Sequence, residues 1–207
     1  MIIRNENPAD YNKIHALVKS AFQTAELPPS GEEDFVLRLR AGSGYVPELA
    51  FVAETAVAAS RSGGANKRSS PMARSSVGRI ASLEEARSGS RNDSAPLIGH
   101  IMLTKTYITT AADKVEALLL APLCVALEYR NKGIGAALIK HALQKAKEQD
   151  YKVVFLVGNP NYYKKFGFAP ISSTNITYTM DYPPEVVQVC ELEPGFLSNI
   201  IGSITIE

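Results

Sequence analysis

Apolar residues recur every three or four positions over residues 8–23, where Ile14, Leu17, Val18, Ala21 and Phe22 share one face of a helix. Asn7-Pro8 supplies an N-cap and a proline at the first helical position, with Asp10 in the first turn. Pro28-Pro29-Ser30-Gly31 breaks the chain, and Glu32-Glu33 opens a second helix with Phe35, Val36 and Leu39 facing inward. Strands are expected at 2–4, 49–54 and 97–103, with 104–112 completing a hairpin arm. The next strand, 115–125, is nearly all apolar and so buried on both faces. Residues 134–149 return to helical spacing, with Leu138, Ile139, Ala142 and Ala146 inward and Lys140, Gln144, Lys147 and Glu148 toward water. A short apolar strand follows at 153–157. Asn159-Pro160 starts a further helix and Gly167 ends it. Strands at 176–180, 185–191 and 204–206 complete an α/β chain built on one mixed sheet, with helices on both of its faces.

The pattern fails from 55 to 96. That stretch holds ten serines, four glycines and no aromatic residue, and its seven Lys/Arg against three Asp/Glu give it a net +4. It cannot offset its own ordering entropy, so a mostly disordered insertion in a single domain spanning 1–207 is expected. A tolerated surface insertion is the simpler account; serines after basic residues, as at Arg61-Ser62 and Arg87-Ser88, leave a phosphorylated docking loop open. Elsewhere composition mostly excludes. A net charge of +1 sets up no field for nucleic acid or membrane. Cys124 and Cys190 read as small buried hydrophobes, and His15, His100 and His141 as surface or half-buried residues without metal-ligand spacing. With no signal-peptide pattern and no bilayer-spanning run, a cytoplasmic protein is expected.

The chemistry concentrates at 130–136, Arg-Asn-Lys-Gly-Ile-Gly-Ala, between the apolar strand and the long helix. The N–H groups of a helix's first turn point outward and its dipole favours an anion. Gly133 and Gly135 admit close approach of a phosphate, and Arg130 and Lys132 add positive charge. A tight strand-to-helix turn with no ligand is the bland alternative. The segment has no Gly-Lys-Ser/Thr, so it is not a P-loop. Leu138 stands where the dinucleotide fingerprint needs a third glycine or alanine.

Arg-x-x-Gly-x-Gly-Ala resembles the pyrophosphate turn of the GNAT family of N-acetyltransferases. Val125 to Gly135 is similar to that family's strand-end and turn, with Leu127 in place of its usual proline. Tyr163 stands four residues before Gly167-Phe168, where the family has its tyrosine. Tyr162 to Phe168 together with Val189 to Leu197 resembles the YhbS-like branch, and the opening Ile3-Arg4 to Phe22 fits it too. The match is best over 118–168. With the insertion set aside it runs nearly end to end.

The resemblance implies a GNAT-like acyl-CoA N-acyltransferase fold and acetyl-CoA as cosubstrate, with no metal. Pro122 alone would mark only a strand end. In the family a bulge there splays the strand from its neighbour, and the pantetheine arm pairs with backbone that would here be Leu123, Cys124 and Val125. The amides of Asn131, Lys132, Gly133, Ile134, Gly135 and Ala136 would hold the diphosphate, with Arg130 and Lys132 either attracting it or standing as solvated surface charge. Asn159 would bond the pantetheine or simply cap its helix. Tyr163 would act as general acid, with Tyr162 as competitor and a core aromatic as the plain alternative. Glu116 is the one carboxylate near the position where some relatives carry a base; a water chain is the other route. The implied partners are acetyl-CoA and a small-molecule or peptide amine, with a homodimer open and neither membrane nor nucleic acid expected. The rival reading is a catalytically idle acyl-CoA-binding scaffold whose basic insert docks a partner. An RNA-binding arm ranks lower, because the insert lacks aromatics for base stacking.

Overall fold

Asn7 opens the first helical segment as its spacing requires. Its side chain accepts from Ala9 N–H at 3.0 Å, and Asp10 accepts from Asn7 N–H at 3.0 Å, closing a capping box around Pro8. Helix α1 (Tyr11–Phe22) then buries Ile14, Leu17, Val18 and Ala21, and α2 (Glu32–Ala41) packs beside it. The computed structural model describes residues 1–23, 32–55, 95–179 and 181–205. The break expected at 28–31 and the body of the insertion lie outside the described residues. The ends of the insertion meet, Thr55 N–H donating to Pro96 O at 3.3 Å.

The strands are β1 (Ile2–Asn5), β2 (Tyr45–Glu54), β3 (Leu97–Thr109), β4 (Lys114–Val125), β5 (Val153–Val157), β6 (Ala169–Pro170), β7 (Ile176–Tyr178), β8 (Val187–Glu191) and β9 (Gly202–Ile204). They form one mixed sheet in the order β1-β2-β3-β4-β5-β8-β6, with β9 joining β3 and β7. Strand β2 begins four residues earlier than its apolar run, and Pro47 sits in the irregular stretch between its Tyr45 and Ala50 pairings. Strands β7 and β8 are each two residues shorter than expected, and β9 begins two residues before its apolar run.

Helix α3 (Ile134–Glu148) connects β4 to the parallel strand β5, as a parallel crossover demands. Its stripe of Leu138, Ile139, Ala142 and Ala146 packs on Phe51, Leu103, Leu118 and Val154. Helices α1 and α2 cover the opposite face over Ala50, Val52, Met102 and Cys124. Farther along that face, Leu119, Phe155, Ile171, Val189, Leu197 and Ile204 form a separate apolar layer.

Below α1 and α2 lies a buried polar cluster. Glu6 accepts from Arg40 Nε at 2.7 Å and Nη2 at 3.0 Å and from the Tyr45 hydroxyl at 2.9 Å. His100 Nε2 lies 2.7 Å from the same carboxylate. The Glu6 and His100 side chains are fully shielded from solvent. His100 is therefore neither surface nor half-buried, as its spacing alone suggested. It points into the core from β3, where its Nε2 meets a carboxylate 94 residues away in sequence. Burial pushes Glu6 up, but the hydrogen bonds and charges of His100 and Arg40 outweigh it and hold the carboxyl at about 2. Burial lowers His100, so the ring is neutral and donates its Nε2 proton to Glu6.

Candidate active site

A bulge in β4 shapes the candidate site. Ile101 pairs with Leu123 and Leu103 with Leu120, so Ala121 and Pro122 together oppose Met102 alone. On the other side, β5 pairs with β4 only through Leu118–Val154 and Leu119–Phe155 among the described residues. Beyond those pairs the two strands part, leaving a wedge lined by the last residues of β4 and by Leu156 to Gly158.

The ladder fixes which main-chain groups face that wedge. Ala126 N–H donates to Ile98 O at 3.0 Å, so Cys124, two residues earlier and paired with His100, also turns its peptide groups toward β3. Leu123 and Val125 alternate away, toward β5. Of the three residues expected to meet a pantetheine arm, Cys124 is thus turned aside. Its side chain is buried under α1, where desolvation pushes the thiol to about 12 and leaves it inert. Val125 O already accepts from Arg130 Nε at 3.3 Å, while its N–H faces the wedge.

The turn at the end of β4 has the expected form. Asn131 and Gly133 take left-handed conformations with φ of 59° and 79°, and Gly133 is the N-cap of α3. The first bond inside the helix runs from Ala137 N–H to Gly133 O at 3.0 Å. The amides of Ile134, Gly135 and Ala136 consequently have no carbonyl within the helix to receive them. No hydrogen bond joins the amides of 131–136 to another described residue.

The two cations of the turn are placed differently from expectation. Arg130 donates from Nη2 to Ala21 O at 2.6 Å, a carbonyl in the last turn of α1, besides its bond to Val125. Lys132 Nζ donates to Glu128 O at 2.9 Å and lies 5.2 Å above the Tyr129 ring. Both carry positive charge near the turn, yet both are engaged by main-chain carbonyls outside residues 131–136.

Helix α4 (Pro160–Tyr163) forms the other lip of the wedge. Asn159 accepts from Asn161 N–H at 3.0 Å, so its side-chain oxygen is committed to the N-cap. Gly167, at φ 90°, ends the segment. The Tyr163 ring rests on Gly158, where a Cβ would lie 2.5 Å from Cε2, and meets Phe168 edge-on at 5.7 Å. Burial raises its hydroxyl pKa well above the ordinary tyrosine value, followed in effect by Tyr162. Tyr162 stands edge-on to Tyr163 at 5.1 Å, and its hydroxyl touches Gly135: a Cβ there would sit 2.5 Å from the Tyr162 oxygen. Sequence reasoning gave Tyr162 only a competing role, and nothing in the spacing marks its contact with the first turn of α3.

Glu116 is not brought to the wedge. It lies near the hairpin end of β4 opposite Tyr107, exposed and paired with Lys105 Nζ at 3.1 Å. At ~3.3 Å per residue it stands roughly 20 Å from Leu123. It stands three residues before Leu119, the last residue of β4 paired with β5, on the hairpin side. Among the described residues no helix is long and apolar enough to cross a membrane.

A family model for the acetyltransferase (GNAT) domain matches residues 92–170. The chain is 32% identical over 94 residues to YjhQ of Escherichia coli K12, an uncharacterized N-acetyltransferase, covering 45% of this chain and 51% of that protein. It is 23% identical over 113 residues to YhbS of the same organism, covering 55% and 66%. The chain thus spans about half the length of the first of these relatives and just under two thirds of the second. Among solved structures, E. coli YhbS in complex with CoA superposes with a TM-score of 0.71 at 20% identity, over 100% of this chain and 89% of that one. A Brucella melitensis GNAT family acetyltransferase in complex with acetyl-CoA gives 0.66 at 19%, over 100% and 95%. At such identities the superpositions establish the fold. Residues 92–170 thus match the GNAT domain, and the chain is similar to YhbS-like proteins in sequence and in fold.

Proposed function

We propose that this protein transfers an acetyl group from acetyl-CoA to an amine by direct attack at the β4–β5 wedge. The observation that carries the reading is one juxtaposition. A strand pair that opens after Leu119 ends beside a helix N-terminus whose first amides are unbonded within the helix. A thioester arm fits the first feature and a diphosphate the second. That two proteins of the same fold were solved with CoA or acetyl-CoA supports the same ligand here.

In this reading the amides of Ile134, Gly135 and Ala136, with those of Asn131 to Gly133, hold the diphosphate. Leu123 and Val125 offer main-chain groups to the pantetheine, and an N–H of this wall polarises the thioester carbonyl. The amine nitrogen attacks the carbonyl carbon, the tetrahedral adduct collapses, and the C–S bond breaks. Tyr163 gives its phenolic proton to the departing thiolate, and the attacking nitrogen, cationic in the adduct, loses one proton through water to restore the phenol and leave a neutral amide. A tyrosine hydroxyl is protonated at neutral pH, as a donor requires, and burial keeps Tyr163 so. No carboxylate among the described residues lines the wedge as a base, so the amine enters deprotonated or loses its proton to water.

The test is release of free CoA thiol from acetyl-CoA across a panel of small-molecule and peptide amines. Turnover with at least one amine is expected, and Tyr163→Phe should lower kcat at least tenfold with coenzyme affinity near wild type. Tight acetyl-CoA binding without thiol release for any amine would instead favour the idle scaffold.

A further inference from the structure

We infer that Arg130 is a positioning residue that ties the coenzyme turn to the C-terminal turn of α1, and that it makes no contact with the diphosphate. The inference rests on the proposed coenzyme site and assigns the arginine of its motif a different task from charge neutralisation.

Three observations carry it. Arg130 Nη2 donates to Ala21 O at 2.6 Å, and Nε donates to Val125 O at 3.3 Å. These acceptors belong to α1 and to the end of β4, and neither lies within the turn at 131–136. The guanidinium charge is also felt at Cys124, whose side chain belongs to the layer under α1. Finally, Ala21 lies in the last turn of α1, and a cation there meets the negative end of the helix dipole. A planar guanidinium donates to both carbonyls at once; a lysine ammonium on a flexible stem does not reproduce that fork.

The arrangement links two parts of the site that are far apart in sequence. The turn at 131–136 receives the coenzyme, whereas α1 ends at the same rim of the sheet. Holding both by one side chain fixes the height of the cradle amides relative to Leu123 and Val125. Arg130 therefore sets the geometry in which diphosphate and thioester are gripped together.

Three readouts test this. In the wild-type protein, hydrogen exchange with and without CoA should show protection at 131–137 and, with it, in the last turn of α1 at 19–23. Without coenzyme, Arg130→Ala and Arg130→Lys should both speed exchange in those two segments together. By calorimetry both variants should weaken CoA by about tenfold, the loss expected for a charged hydrogen bond, with the ratio of affinities at low and high salt unchanged from wild type. Protection confined to 131–137 would overturn the inference. So would an Arg130→Lys variant that binds as wild type while Arg130→Ala loses both affinity and salt dependence, the signature of direct phosphate contact. If the wild-type protein fails to bind CoA, the coenzyme reading falls, and the coenzyme-free exchange experiment still decides whether Arg130 joins the two segments.

Discussion

Glu6→Gln removes one negative charge from a site where nothing else can replace it. Glu6 is the common acceptor for Arg40, Tyr45 and His100, and its side chain is fully shielded. Four donors fill the four lone-pair positions of a carboxylate. The amide keeps the shape but places an N–H group against other donors and leaves the Arg40 guanidinium buried without an anion. The drop from the ordinary carboxylate value of 4.5 to about 2 corresponds to ~3 kcal/mol at neutral pH. Removing one partner of a buried pair costs about 3–5 kcal/mol, in agreement. For a domain of this size that is on the order of 10 °C in Tm. The sign with pH follows from the depressed value. Glu6 contributes its full stabilisation above about 4.5 and loses it as pH falls toward about 2, because the unfolded chain takes up the proton first. His100, lowered from 6.5, adds an earlier loss that begins as pH drops through 6.5, again because only the unfolded state binds that proton. Urea unfolding by far-UV circular dichroism at pH 7, 5 and 3 should show wild type well above Glu6→Gln at pH 7, with the gap closing by pH 3. Equal midpoints at pH 7, or a gap that does not narrow on acidification, would refute the argument.

Further outcomes are expected at the wedge. Gly135→Glu should abolish measurable CoA binding in calorimetry, since its Cβ meets the Tyr162 hydroxyl and its carboxylate enters the anion cradle; wild-type affinity would count against the site. Tyr162→Phe should weaken CoA binding more than it lowers kcat, the reverse of Tyr163→Phe, because the Tyr162 hydroxyl lies on the first turn of α3; matching kinetic profiles would erase the distinction. Glu116→Gln should leave turnover within about twofold, as expected of an exposed ion pair far from the wedge, and a tenfold loss would return it to the chemistry.

The elements most legible in the sequence are those whose signals are local. The stripe of α3 repeats at helical spacing and is buried as read. Asn7 and Asn159 cap their segments because a short polar side chain ahead of proline finds an amide two residues on. Pro122 sits in a bulge because it cannot donate to a ladder, and the family resemblance correctly turned that hint toward an opened strand pair.

What stayed hidden was the choice of partner. Residue type beside an anion cradle points Arg130 and Lys132 at the phosphate, yet a guanidinium takes whichever acceptor the fold presents, and the fold presents Ala21 O from 109 residues away. A signal for the Glu6 cluster was present. His100 interrupts an otherwise apolar strand, and Arg40 follows Val36 by one helical turn, on the buried face of α2. Polar groups at core positions must find one another, so two such misfits predict a common counter-charge even before its identity is known. The same reasoning, applied to the turn, separates its backbone from its side chains. Amides at a helix start have their direction fixed by the chain and can be assigned from sequence, whereas a long flexible cation beside them is assigned only by the carbonyls that surround it.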